Sequence, residues 1–153
     1  MKFKPIIIVA GEPNSVFIEI LLKIFKKKKF KSPLVLICSK KLLLKQAKAL
    51  KEKIKFNEIS KKEFFLKKNF LNKLNLIDVE YNQSKAFEKI SSKSNEYIKN
   101  CFDIGLKIMK NEISNKFING PISKKNFLLN KYNGITEFLA HKTKTKKFAM
   151  IIF

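Results

Sequence analysis

The chain contains no arginine and no tryptophan, one histidine, two cysteines, and only four glycines and four prolines in 153 residues. The scarcity of Gly and Pro excludes collagen-like and low-complexity classes. Two cysteines, Cys38 and Cys101, cannot build a disulfide scaffold. The only histidine, His141, lies between Ala140 and Lys142, and neither H-x-x-H nor C-x-x-C occurs, so no metal ligand set is expected in these residues. A single His also supports no Ser-His-Asp or Cys-His arrangement, and no catalytic residue is assigned. His141 reads as a solvent-facing helix residue. Long apolar runs are missing too. The first apolar stretch, Pro5 to Ala10, is far short of the roughly 20 residues that span a bilayer. Lys2 and Lys4 precede it as in a signal peptide, but Gly11-Glu12-Pro13-Asn14 follows with no small-residue cleavage pattern. No membrane partner is expected, and a cytoplasmic location is the default. Neither G-x-x-x-x-G-K-[ST] nor G-x-G-x-x-G is found.

What is present is apolar and basic. Apolar residues make up 45% and Phe occurs 15 times, which excludes an intrinsically disordered chain. The length suits one domain burying roughly 70% of its unfolded surface. Lys contributes 34 charges against 12 from Asp and Glu, so 34 − 12 = +22. Such a charge suggests nucleic acid or an anionic surface. A phosphate-binding surface, however, usually recruits Arg for its bidentate fork. Lys takes every basic position here, Asn, Ile and Phe abound, and Ala is scarce. That pattern reads as drift toward A/T-rich codons across the whole protein. A functional basic surface is the alternative.

Short apolar runs alternate with amphipathic ones. Lys4 to Ala10 reads as a buried strand and Ser15 to Phe25 as a helix capped by Asn14 or Ser15. Pro33 to Ser39 is a second strand, and Lys40 to Lys53 a helix with Leu43, Ala47 and Leu50 at helical spacing. Ile54 to Asn72 shows no clean period. Asn75 to Tyr81 reads as a strand, and Gln83 to Ser94 as a loop. Asn95 to Glu112 is the clearest helix: Tyr97, Ile98, Cys101, Phe102, Gly105, Ile108 and Met109 share one face. Gly105 on that face suggests close approach of another backbone. Phe117 to Asn119 is a short strand, Ser123 to Leu129 a short helix, and Thr136 a cap for a further helix. Phe148 to Phe153 is a last strand. This alternation implies an α/β fold with a mostly parallel sheet flanked by helices. The chain stops inside an apolar run, which suggests truncation as readily as a terminal strand. Cys38 ends a strand and Cys101 sits on the apolar helix face, so both read as core residues.

Three loops place backbone N–H groups at a helix start. Gly11, Glu12 and Pro13 lie between the first strand and helix, where ligands of parallel α/β proteins meet helix N-termini. Gly120, Pro121 and Lys124 lie in Asn119-Gly120-Pro121-Ile122-Ser123-Lys124. Gly134-Ile135-Thr136-Glu137 follows a turn. Each admits a plain alternative, a tight turn with a capped helix.

These three segments, in this order, resemble the 4-hydroxythreonine-4-phosphate dehydrogenase family. That family carries G-[DE]-P after its first strand, then G-P-[IV]-x-K, then G-H-T-E or G-x-T-E. Glu19 matches a further family Glu. The resemblance spans nearly all of the chain but about the N-terminal half of a family chain. It implies a fold similar to the isocitrate and isopropylmalate dehydrogenases. It also implies homodimers, a divalent metal, NAD or NADP, and a small phosphorylated amino-acid substrate. The implied reaction is oxidation of 4-phosphooxy-threonine followed by decarboxylation, in pyridoxal phosphate biosynthesis. By the same resemblance, Thr136 contacts substrate and Ile135 occupies the position of the family His.

Two departures stand out. Ile135 cannot make the hydrogen bond of that His. Asn14-Ser15-Val16-Phe17 replaces a glycine-rich A-G-I-G. The family's metal-binding His residues and nicotinamide-binding half fall beyond Phe153, so metal- and cofactor-binding residues are not expected in this chain. The sequence therefore reads as residues 1–153 of a dehydrogenase α/β fold lacking its C-terminal part. A Lys-rich α/β protein binding nucleic acid or another polyanion is the alternative. No specific nucleic-acid partner is expected on the leading reading.

Overall fold

The computed structural model describes residues 3–27, 30–67 and 74–149. Five parallel strands form one sheet: β1 (Ile6–Val9), β2 (Leu34–Cys38), β3 (Asn57–Glu58), β4 (Leu74–Asp78) and β5 (Lys116–Asn119). Their order is β3-β4-β2-β1-β5. The helices are α1 (Phe17–Lys27), α2 (Lys40–Ala49), α3 (Lys61–Lys67), α4 (Asn95–Lys110) and α5 (Ile135–Thr143).

Strand alternation sorts the apolar side chains onto two faces. Ile7, Val9, Val35, Ile37 and Ile77 face a core built with Phe64 of α3 and with Ile98, Cys101, Phe102 and Ile108 of α4. Ile8, Ala10, Leu34, Leu36, Leu74 and Leu76 face α1 and α2, meeting Ile18, Leu21, Leu22, Leu43 and Ala47. Both faces of the strands are covered, which is why β1 and β2 read as continuous apolar runs.

The mostly parallel sheet flanked by helices matches the pattern read from the sequence. Several local features differ. The expected helix Lys40 to Lys53 ends at Ala49 because Lys51 turns left-handed (φ 55°). The Glu52 N–H then donates to the Ala47 carbonyl at 2.9 Å, closing a Schellman turn. The illegible stretch from Ile54 contains β3 and α3; part of it, with the latter part of the Phe148 to Phe153 strand, lies outside the described residues. Gly105 meets side chains rather than backbone: an added Cβ would stand 2.7 Å from the Phe117 ring and 3.0 Å from Val9. The segment after Ser123 is a single wide π-type turn, Lys124–Leu128. Phe127 of that turn and Phe138 of α5 pack edge-to-face at 5.3 Å, and Phe138 packs on Phe102 at 5.5 Å. These aromatic contacts, each worth about 0.5–1.5 kcal/mol beyond area burial, fix α5 against α4.

Candidate functional site

β1 leads to α1 on one face of the sheet, whereas β5 leads to the Lys124–Leu128 turn and α5 on the other. The loops after two adjacent parallel strands thus diverge. In an open α/β sheet that divergence makes the ligand crevice, outside the carboxyl ends of the strands.

Gly11 and Gly120 stand at the base of this crevice. The Gly120 N–H donates to the Val9 carbonyl at 2.7 Å and the Glu12 N–H to the Pro121 carbonyl at 2.8 Å. A Cβ on Gly120 would lie 2.0 Å from the Ala10 oxygen. A Cβ on Gly11, which is left-handed at φ +71°, would lie 2.4 Å from the Pro121 oxygen. The two loops are in backbone contact that only glycine permits.

Glu12 is a junction of three elements. The residue is 3% exposed. Oε2 lies 3.0 Å from Ser94 Oγ, just before α4, and Oε1 accepts from the Asn14 N–H at 3.3 Å. Burial raises its carboxyl above the ordinary range, while the Asn14 N–H and the Ser94 hydroxyl pull the other way. Pro13 is also buried, and its carbonyl accepts from Gln46 Nε2 at 2.7 Å. Gln46 donates as well to the Ala86 carbonyl at 2.9 Å. Asn14 Oδ1 accepts from Gln83 Nε2 at 3.0 Å and from the Glu88 N–H at 2.8 Å. Residues 83–88 are thereby strapped over the β1–α1 loop. Tyr81, whose phenol is raised by burial and then by the Glu12 and Glu88 charges, leads into this strap.

The β1–α1 turn caps its own helix. The Asn14 N–H goes to Glu12, the Ser15 N–H to the Glu12 carbonyl at 3.1 Å, and the Phe17 N–H to Ser15 Oγ at 3.3 Å. These donors are already used, so this loop shapes the crevice rather than gripping an anion. At the second loop, Ser123 Oγ accepts from the Asn126 N–H at 3.1 Å, and Lys124 is exposed.

Thr136 does not cap α5. It lies inside the first turn, and Gly134, which has no side chain, holds the cap position. Glu137 reaches back instead, accepting from the Asn133 N–H at 2.8 Å and from Asn133 Nδ2 at 3.1 Å. Ile135 packs against the aromatic core, a role open to an aliphatic side chain and closed to a charged imidazole.

The structure therefore brings together Gly11, Glu12, Pro13, Gly120 and Pro121. No hydrogen bond among the described residues joins Lys124, Ile135 or Thr136 to that group. Sequence reading missed Gln46, Gln83 and Ser94, and gave Asn14 only the role of a helix cap, whereas its side chain holds residues 83–88. One signal was available: Gln46, fully buried, falls between Leu43 and Ala47 on the apolar face of α2, where a polar side chain needs a reason.

Both cysteines are buried; burial raises the Cys38 thiol well above its usual value and pushes Cys101 up to about 12. They are core residues and not nucleophiles. His141 is exposed on α5, its Nδ1 3.0 Å from the Tyr132 hydroxyl. Among the described residues no group of three or more His, Cys, Asp or Glu side chains could hold a metal ion, so no chemical step through a metal is assigned to them.

The family model for the pyridoxal phosphate biosynthetic protein PdxA matches residues 29–153. The chain belongs to the PdxA family. No curated protein matches it. Several solved structures share its fold. A protein described as a 4-hydroxythreonine-4-phosphate dehydrogenase from Salmonella typhimurium is 22% identical at a TM-score of 0.81, with 99% of this chain and 48% of that one covered. The 4-hydroxythreonine-4-phosphate dehydrogenase from Klebsiella pneumoniae is 20% identical at a TM-score of 0.79, covering 98% and 46%. That from Burkholderia phymatum is 18% identical at a TM-score of 0.76, covering 95% and 45%. This PdxA-family chain thus spans about half the length of the structures it matches. The expected likeness to the isocitrate dehydrogenase fold holds, and the fold comparison, unlike the family match, extends over the Gly11–Pro13 turn.

Proposed function

We propose that this PdxA-family chain forms the N-terminal part, residues 1–153, of a dehydrogenase that oxidises 4-phosphooxy-threonine, with decarboxylation, in pyridoxal phosphate biosynthesis. The observation that carries the reading is the backbone contact of Gly11 with Gly120 and Pro121 at the strand-end crevice, because it sets two family motifs side by side. Gly11, Glu12, Pro13, Gly120 and Pro121 form the crevice wall. Thr136 supplies a hydroxyl and Lys124 a cation toward the phosphorylated substrate. The substrate carries negative charge, and the α5 N-terminus, with no side-chain cap, favours an anion.

NAD or NADP would accept hydride, and a divalent metal would polarise the reacting oxygen. On this reading the residues that hold both groups lie outside this chain; among the described residues no group of three or more His, Cys, Asp or Glu could hold a metal ion. The reading places the enzyme in the cytoplasm; no helix among the described residues is long and apolar enough to cross a membrane.

Calorimetric titration of the chain with 4-phosphooxy-L-threonine tests this. Saturable binding weakened about tenfold by Thr136→Val, a loss of about 1.4 kcal/mol, is the expected result. No heat of binding, or equal binding by Thr136→Val and Lys124→Ala, would remove these residues from the substrate site.

A further inference from the structure

The hydrogens around Glu12 can be assigned in two ways. Ser94 Oγ lies 3.0 Å from Glu12 Oε2 and 3.0 Å from the Ser91 carbonyl oxygen. The hydroxyl has one hydrogen, and a carbonyl can only accept. If Glu12 is ionised, two acceptors compete for that hydrogen. If Glu12 carries a proton on Oε2, it donates to Ser94 Oγ, Ser94 donates to Ser91, and every partner is matched. Oε1 remains free to accept from the Asn14 N–H at 3.3 Å.

We propose that Glu12 is a positioning residue that works as a neutral acid: an Asn14 N–H···Glu12···Ser94···Ser91 relay pins the Gly11–Asn14 turn to the start of α4, and ionisation of Glu12 loosens that turn. The consequence for ligand binding rests on the strand-end crevice being the substrate site; the protonation itself does not.

Burial favours the neutral form, whereas the Asn14 N–H and a Ser94 hydroxyl turned toward Glu12 favour the ionised one; the Ser91 carbonyl draws that hydroxyl hydrogen away. Glu12 is a buried residue, and burial disfavours its charged form. Of the groups facing it, Asn14 on its own loop and Ser94 ahead of α4 are neutral. Tyr81, beyond β4, titrates as an acid, so its ionised form would repel an ionised Glu12. Glu88, on the strap, is a further acid acting on the same Tyr81, with Lys93 the cation that acts on Glu88. The Glu12 main chain is held as well, its N–H donating to the Pro121 carbonyl and its carbonyl accepting from the Ser15 N–H.

The sign follows from linkage. A carboxyl group raised by folding contributes stability that is fully present below the unfolded value of about 4.5 and is lost as pH rises through the folded value.

Glu12→Gln is the decisive variant, because its amide oxygen can accept from Asn14 while its NH2 donates to Ser94, copying the neutral acid. Carboxyl 13C spectra of the Glu-labelled chain are followed over pH, with melting temperatures measured in parallel. One Glu signal should titrate above the others and vanish in Glu12→Gln. The variant should melt at or above the wild-type temperature and should not show the wild-type loss as pH rises. Ser94→Ala separates the two hydrogen assignments: it lowers the Glu12 midpoint if Ser94 accepts the Glu12 proton, and raises it if Ser94 donates to a carboxylate. A Glu12 signal within the ordinary range, a Glu12→Gln chain less stable than wild type at every pH, or a raised midpoint in Ser94→Ala would overturn the proposal. None of these readouts uses substrate, so failure here leaves the substrate assignment standing.

Discussion

At the scale of single residues, the four glycines are not equivalent, although the sequence writes them alike. Gly120 has no room for a methyl group: a Cβ would sit 2.0 Å from the Ala10 carbonyl oxygen, and the obstruction is backbone that cannot swing away. Gly134 has nothing within 4 Å, and its φ of −167° is extended backbone open to any residue. Gly120→Ala should therefore cost about 1–3 kcal/mol or more, whereas Gly134→Ala should stay within about 0.5 kcal/mol of wild type. Urea denaturation of the two variants measures both. Equal effects would mean that the contact between the β1 and β5 loops is looser than described. The motif positions Gly11 and Gly120 were legible in the sequence because a motif is a local spacing. Their mutual contact was not, because it depends on β5 lying beside β1, a pairing of Val9 with Asn119 across 119 − 9 = 110 positions of chain. Thr136 failed as a cap for a similar reason. A hydroxyl beside a turn is a good local signal, but Thr136 falls inside the first turn, and Glu137 accepts from Asn133 ahead of the helix, which leaves α5 with no side-chain cap.

At the scale of elements, composition has left its mark on how helices stop. The residues just past α2, α4 and the Lys124–Leu128 turn are left-handed and none is glycine: Lys51 at φ 55°, Glu112 at φ 56° and Leu129 at φ 51°. A left-handed L-residue costs roughly 1–2 kcal/mol. Glycine avoids that cost and loses about 0.5–1 kcal/mol of it to its more flexible unfolded state. Lys51→Gly should thus raise stability by about 0.5–1 kcal/mol, read as a higher urea midpoint at unchanged slope. Lys51 is exposed and its backbone already closes the Schellman turn, so no contact is sacrificed. A lowered midpoint would show that the Lys51 side chain carries stability of its own. The same scarcity of glycine explains why helix ends were hard to place from sequence: α2 stops at Ala49 with no Gly to mark it. α4 was legible because 16 residues of one uninterrupted amphipathic period leave no alternative. β3 and α3 were not, since a strand of 2 residues and a helix of 7 are shorter than the window in which a period can be recognised.

At the scale of the whole molecule, the charge of +22 decides between two expectations about salt. The ion pairs Lys23–Glu19, Lys26–Glu52, Lys40–Glu58 and Lys142–Asp103 join side chains that are mostly exposed, and such pairs contribute at most about 1 kcal/mol each. Against them stands the mutual repulsion of the many other lysines, spread over a body whose radius of gyration is about 15 Å for this length. The screening length falls from about 30 Å at 0.01 M salt to about 8 Å at 0.15 M. At low salt every lysine feels every other, and at physiological salt only its neighbours. Screening removes more repulsion than attraction, so the melting temperature should rise between 0.01 M and 0.15 M sodium chloride. It should rise alike with sodium fluoride, because a Debye effect depends on ionic strength and not on the ion. A flat or falling curve would mean that the lysines are locally compensated. A rise with phosphate far beyond that with chloride at equal ionic strength would instead reveal a built anion site, and would return the basic surface from drift to function.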